Sequence, residues 1–345
     1  GMLYSSEKRR GGIELIEVRH LTKRYGAHLA VDDLCFTVEP GKIYGLLGPN
    51  GAGKSTTMNI ITGCLAASEG EVSVNGHDIF EEPVEAKKCI GYLPEIPPVY
   101  TDMTVDEYLK FVAEAKGVPA KARRAQLDEI LESTGLTDVR GRLINNLSKG
   151  YRQRTGIAQA LVGNPEIVIL DEPTVGLDPK QIIEIRDLIR ALGRKHTVIL
   201  SSHILSEVSA VCDSVMIIAH GRLVANGTPD ELTKLFAGER EVHLEVKGEK
   251  AAVQAALRAV EGAGDVSCKT ENGVTHAVLH PQNGADVREG AFWACAKASL
   301  PILEMRVEQA SLEEIFLELT QADGQPDAAQ PPEEKPNPAE GGETA

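Results

Sequence analysis

Two periodicities divide the chain. "IEVRHLTKRYG" and "LAVDDLCFTVEPGKIYGLLG", spanning Ile16 to Gly48, alternate apolar and polar residues between turn signals. A period of two predicts short β-strands. From Thr104 the period lengthens. "TVDEYLKFVAEAKG" opens with a capping-box pair, Thr104 and Glu107, and ends at Gly117, which predicts a helix. A second helix is expected after Pro119, stopping at Gly135, and a third from Ser148 to the Gly163-Asn164-Pro165 breaker. Three helices in succession predict a helical insert over about 95–163.

Strands return as "EIVILDEP" and "HTVILSSH", short β-branched runs of the kind buried in a parallel sheet. The helix expected from Pro179 to Leu192 lies between them and makes a right-handed β-α-β unit. "SVMIIAHGRLVANG" reads as a closing hairpin. Past Gly238 the order is strand, helix, two strands around the Asn272-Gly273 turn, helix, strand. That βαββαβ order predicts a ferredoxin-like α+β domain over 238–320, ending in a helix from Leu312 to Thr320. Residues 1–12 are expected to be a flexible N-terminus and 321–345 a disordered tail. The tail is rich in Pro, Gly, Ala and Glu and buries too little apolar surface to offset its ordering entropy.

Composition narrows the class. The chain has 345 residues, 42% of them hydrophobic and 25% charged, enough for two domains with cores. The net charge is −15, and the tail from Ala322 holds six acids and one base, so −10 remains on the rest. That balance argues against a sequence-independent nucleic-acid binder. The six cysteines are scattered and none forms a CxxC pair, so spacing suggests neither a zinc site nor a redox motif. Free cysteines fit a reducing compartment. No apolar run reaches the roughly 18–20 residues that span a bilayer, and no signal peptide is visible. A cytoplasmic chain is expected, with Gly1 ahead of Met2 a cloning remnant.

The candidate chemistry begins at "GPNGAGKS", Gly48 to Ser55, which fits G-x-x-x-x-G-K-[ST] between a strand and a helix. Gly48, Pro49, Asn50, Gly51, Ala52 and Gly53 are expected to form the loop around the phosphates, its backbone N–H groups (Pro49 has none) facing phosphate oxygens, with Thr56 continuing the helix start. Lys54 is expected to reach the β- and γ-phosphates and Ser55 to bind Mg²⁺. "IVILDEPTVGLD" supplies acids: Asp171 at a strand end for the metal, then Glu172 as the base for an attacking water.

These residues resemble the ATP-binding-cassette ATPases. "LSKGYRQR" is similar to the family signature L-S-G-G-Q, with Ser148 and Gly150 kept, Lys149 in place of a glycine and Tyr151 in place of the glutamine. By the same resemblance "VGLD" ends the D-loop at Asp178, His203 in "SSH" is the switch histidine, and Tyr25 in "TKRYG" stacks on adenine. Glu95 in "GYLPE" stands where the family usually has glutamine, and its carboxylate is expected on the metal side of the site. The resemblance spans about Ile13 to Leu235, within an expected cassette of 13–237.

The fold so implied is α/β: a P-loop core with an antiparallel β subdomain and a helical subdomain, plus the ferredoxin-like domain. The activity implied is ATP hydrolysis with ATP and Mg²⁺, by a head-to-tail homodimer in which Ser148 and Gly150 of one copy cover the nucleotide of the other. The chain further resembles the nucleotide-binding subunit of an ABC-2 exporter, partnered by integral membrane permease subunits at the cytoplasmic face of the membrane. Lys149, Arg152 and Arg154 read as a solvated helix face that pairs with acids of a partner, or as an anion patch. The C-terminal domain is expected to make dimer or permease contacts; binding a small regulator is the alternative. A soluble cassette ATPase of DNA repair or translation is the competing function. The gap from Lys54 to Ser148, 148 − 54 = 94 positions, is too short for a repair-type coiled coil, and a single phosphate loop is present where translation members carry two. A small-molecule kinase or GTPase leaves "LSKGYRQR" and "SSH" unexplained.

Overall fold

The computed structural model describes residues 14–236, 241–271, 273–282 and 285–308. The expectations for 1–12, for Asn272, for the helix from Leu312 to Thr320 and for the tail lie outside the described residues. In chain order the first part runs β1 (Ile16–Tyr25), β2 (His28–Val38), β3 (Ile43–Leu47), α1 (Lys54–Ile61), β4 (Glu69–Val74), β5 (His77–Asp78), α2 (Pro83–Lys88) and β6 (Ile90–Leu93). It continues through α3 (Val105–Ala115), α4 (Ala120–Ser133), α5 (Lys149–Leu161), β7 (Ile167–Leu170), α6 (Pro179–Leu192), β8 (Thr197–Ser202), α7 (Leu205–Ser209), β9 (Ser214–Ala219), β10 (Arg222–Gly227) and α8 (Pro229–Phe236).

Two sheets result. One is antiparallel, in the order β2-β1-β4-β5. The other has the order β10-β9-β3-β8-β7-β6, parallel from β9 to β6, with β10 closing it as an antiparallel hairpin. Alternation along the buried strands divides the core in two. Tyr44, Leu46, Ile167, Ile169, Ile199, Met216 and Ile218 point to the side of α1 and the antiparallel sheet. Their neighbours Ile43, Leu47, Val168, Leu170, Val198, Leu200, Val215 and Ile217 point to the helical side. A continuous apolar run therefore glues a layer to each face of one sheet.

The insert is held by its own polar anchors. Thr104 Oγ1 accepts from the N–H of Glu107 at 3.3 Å and Glu107 Oε2 accepts from the N–H of Thr104 at 2.9 Å, completing the capping box. Tyr108, on the buried face of α3, donates its hydroxyl to the carbonyl of Pro98 at 3.1 Å. That bond ties the insert to the proline-rich segment after β6. Arg154 pairs with Glu184 of its own chain at 2.5 Å, which corrects the expectation that it pairs with acids of a partner.

Five elements escaped the periodicity reading: the strands β4 and β5 and the short helices α2, α7 and α8. β4 exposes its first three residues, and α7 is only five residues long, too short to show a period.

The C-terminal part runs β11 (Glu241–Lys247), α9 (Lys250–Arg258), β12 (Asp265–Glu271), β13 (Val274–His280), α10 (Arg288–Lys297) and β14 (Ile302–Glu308). Its strands form an antiparallel sheet in the order β12-β13-β11-β14, the order of the expected ferredoxin-like pattern. Val242, Leu244, Val246 and Leu279 meet Val253, Leu257, Ala291 and Cys295 of the helices in a core of its own.

Burial pushes the Tyr108 hydroxyl up to about 12. The folded state thus favours the neutral phenol. Its stabilising contribution is full below the ordinary value of about 10 and lost as pH rises through about 12. Tyr108→Phe should lower unfolding free energy by ~1 kcal/mol near neutrality. In urea unfolding the gap to wild type should close above pH about 10, because only wild type carries this titration. A gap that stays constant with pH would contradict the assignment.

Candidate functional site

The C-terminal ends of β3, β7 and β8 lie side by side, and the loops that leave them build one cleft of about 490 Å³. In open α/β sheets ligands bind at those strand ends. The loop after β3 turns through Gly53, whose φ is +105° and whose added Cβ would lie 2.5 Å from the carbonyl of Ala30. Only glycine fits there, so α1 starts abruptly at Lys54 with its first N–H groups free to face a ligand. Lys54 is 6% exposed and its Nζ donates to the carbonyls of Gly48 at 2.8 Å and Pro49 at 3.2 Å. The loop wraps its own lysine. Asn50, Gly51, Gly53, Ser55 and Thr56 line the cleft, while Ala52 is buried behind it, its carbonyl accepting from Gly221 N–H at 3.0 Å.

The acids face this loop. Ser55 Oγ donates to Asp171 Oδ1 at 3.3 Å, so a hydroxyl and a carboxylate share one spot. Ser201 of β8 donates its hydroxyl to Asp171 at 2.5 Å and accepts the N–H of Glu172 at 2.8 Å. Glu172 has φ +47°, a left-handed conformation unusual for a residue other than glycine, and one that clusters at functional sites. Its carboxylate is the centre of the cleft: Oε1 lies 3.4 Å from Lys54 Nζ and Oε2 lies 3.0 Å from His203 Nδ1. Glu172 is 6% exposed, so the pair with Lys54 offsets the cost of burying either charge. Behind it, buried Glu207 accepts from Thr174 at 2.5 Å and from Ser202 at 3.2 Å, linking the segment after Glu172 to the one before His203.

Tyr25 and Glu95 complete the walls. Tyr25 ends β1, half exposed, with Lys23 Nζ 5.2 Å from its ring centre. His28 faces it across the hairpin turn. Glu95 is exposed on the segment after β6 and lines both this cleft and a second cavity with Ile96, Lys149 and Arg152.

Ser148, Gly150 and Asp178 do not line the cleft of their own chain. Ser148 caps α5, accepting from Tyr151 N–H at 3.4 Å, and Asp178 caps α6, accepting from Gln181 N–H at 2.9 Å. Gly150 lies so close to Gln181 that a Cβ would sit 2.8 Å from its amide carbon. The two caps therefore share one surface, apart from the phosphate loop.

Sequence reasoning missed His28, Val175, Ser201, Thr174 and Glu207. Ser201 carried a signal: a hydroxyl on a fully buried strand requires a partner. Val175 opens the "VGLD" stretch, of which only Asp178 was singled out; His28 carried none.

Residues 31–175 match the family model described as ABC transporter. The linearmycin resistance ATP-binding protein LnrL of Bacillus subtilis (strain 168) is 32% identical over 308 residues, covering 89% of this chain and 98% of that protein. A solved ATP-binding subunit of an ABC transporter is 33% identical with a TM-score of 0.59, covering 64% of this chain and 93% of its own. MJ0796, a bacterial ABC transporter cassette solved as a dimer, is 26% identical with a TM-score of 0.56, covering 62% and 98%. The chain therefore belongs to the ABC transporter family, as an ATP-binding subunit.

Proposed function

We propose that the chain hydrolyses ATP with Mg²⁺ and couples the cycle to substrate export through separate permease subunits, sitting on the cytoplasmic face of the membrane by that contact. One observation carries the catalytic part: the Glu172 carboxylate lies between Lys54 and His203 at the mouth of the phosphate loop. Lys54 and the α1 N–H groups bind the phosphates. Tyr25 offers a face for the base. Glu172 takes a proton from the attacking water, and His203, held by its other contact to Glu172, is placed to steady charge on the γ-phosphate. Ser55 and Asp171, with Glu95, offer the hard oxygen donors that suit Mg²⁺. When bound, the ion neutralises phosphate charge.

Ser148, Gly150 and Asp178 point to a homodimer. Their shared surface includes a helix N-terminus, which favours an anion, yet lies outside the chain's own cleft. The nucleotide of a second copy is the anion that fits, and the dimeric cassette MJ0796 supports this reading. ATP then joins two copies and hydrolysis parts them. We take 13–237 as the cassette and 238–320 as an accessory domain for dimer or permease contacts. The match to LnrL extends over 308 residues, well past the cassette, so the accessory part is shared with that protein.

Three variants test the assignment. Glu172→Gln should bind ATP normally, lose turnover by ~10²–10⁴-fold and accumulate as an ATP-bound dimer in size-exclusion chromatography. Wild-type turnover in that variant would sink the base. Lys54→Ala should weaken ATP binding in calorimetry about tenfold or more; unchanged affinity contradicts its phosphate role. Glu95→Gln removes one negative charge beside the γ-phosphate, so its ATP affinity should depend less on Mg²⁺ than that of wild type. Identical Mg²⁺ titrations of the two proteins would remove Glu95 from the metal side.

A further inference from the structure

Outside the nucleotide cleft, His20, Asp33 and Cys35 bring one ligand atom each to within 4.8 Å of one another. They come from two strands, His20 from β1 and Asp33 and Cys35 from β2. Regular pairing stops at Val18 opposite Phe36 and resumes at Leu21 opposite Leu34, so Arg19 and His20 face Cys35 alone. The next interruption is the reverse: Thr22 alone faces Asp32 and Asp33 before Lys23 pairs with Val31. These two bulges, one on each strand, cancel in register, and a third shift follows beyond the cluster, where Lys23 faces Val31 but Arg24 faces Leu29. His20 at φ +50° and Asp33 at φ +52° are the bulge residues in the left-handed region, each at a cost of ~1–3 kcal/mol. The Nδ1 of His20 donates to Asp33 Oδ1 at 2.7 Å, Cys35 Sγ lies 3.7 Å from the same Nδ1, and the His20 N–H donates to Cys35 Sγ at 3.1 Å.

We propose that His20, Asp33 and Cys35 form a binding site for a divalent transition-metal ion of the Zn²⁺ type. A tetrahedral Zn²⁺ with its usual bonds separates sulfur from nitrogen by about 3.6 Å, close to the separation already present. The nitrogen and carboxylate oxygen must part by roughly 0.7 Å to reach their own tetrahedral spacing, and both side chains are free to move, at 78% and 67% exposed. Thiolate and imidazole reject Mg²⁺ and Ca²⁺, which want oxygen. Water completes the coordination. On binding, the Cys35 thiol releases its proton, the His20 proton shifts from Nδ1 to Nε2, and the ion replaces the hydrogen bond to Asp33; one proton leaves per ion. The ion staples β1 to β2, the strands whose far ends carry Tyr25 and His28 beside the nucleotide cleft.

The site was invisible to cysteine spacing because its ligands are joined by sheet pairing rather than by a short motif.

The test uses the full chain, stripped with chelator and free of nucleotide, titrated with Co²⁺. One equivalent should bind with a thiolate-to-cobalt charge-transfer absorption, Zn²⁺ should displace it, and Mg²⁺ should not. Cys35→Ser should abolish that absorption, while Cys64→Ser, which removes the exposed thiol elsewhere, should retain it. His20→Gln should weaken Co²⁺ affinity about tenfold or more. Zn²⁺ should raise the melting temperature of wild type and leave Cys35→Ser unmoved. Absence of the absorption in wild type, or its survival in Cys35→Ser, overturns the proposal. If Cys35→Ser fails to fold, an unchanged Co²⁺ affinity in His20→Gln overturns it equally.

Discussion

The site depends on holding two adjacent and almost fully buried carboxylates in one cleft. Asp171 is 3% exposed and Glu172 6%, so each needs a partner that offsets its desolvation. The structure meets that need asymmetrically. Asp171 is satisfied by hydroxyls, those of Ser55 and Ser201, and keeps oxygen lone pairs directed at the loop. Glu172 is satisfied by cationic or protonatable groups, Lys54 and His203. Neutral hydroxyls are displaced easily by a hard cation, whereas a lysine and a histidine hold a carboxylate in place. In the proposed mechanism that asymmetry separates a metal-side acid from a water-side acid, although the two side chains differ by only one methylene.

Ser201 is the joint that makes this possible. One hydroxyl donates to the Asp171 carboxylate and accepts from the backbone of Glu172, so β8 fixes together the two acids that follow β7. The left-handed backbone at Glu172 turns its side chain away from that of Asp171 and towards Lys54 and His203. Such strain persists only where the surroundings over-determine it. Here the surroundings are two cores, one on each face of the central sheet, fed by alternate residues of the same strands. A change that weakens either core loosens the strand ends from which all three loops leave.

Much of this was legible from residue order alone. The phosphate loop, the strand ending in two acids, the capping box at Thr104 and the βαββαβ run each carry a local rule, and each appears where that rule places it. The rest depended on sheet order. That Ser201 touches Asp171 follows from β7 and β8 being neighbours, and that His28 faces Tyr25 follows from a hairpin turn. The partner of Arg154 proved to be Glu184, thirty positions along the chain, because the fold brings that part of α6 within reach of α5. Charge patterning along one helix cannot name a partner on another. The His20–Asp33–Cys35 cluster is the extreme case, since two bulges that cancel leave no trace in an apolar–polar alternation.

Glu95 gains most from the three-dimensional view. It lines the nucleotide cleft on one side and, with Ile96 82% exposed beside it, a second cavity on the other. Pro94, Pro97 and Pro98 restrict the backbone on both sides of it. The far end is pinned to α3 by the Tyr108 hydroxyl on Pro98. A stiff segment fixed at one end and carrying a charge at the other transmits displacement instead of absorbing it. A shift of the Glu95 carboxylate on nucleotide binding would therefore move Ile96 and the insert together. Within the proposed cycle, the proline-rich segment would then link the γ-phosphate mechanically to the exposed face at Ile96.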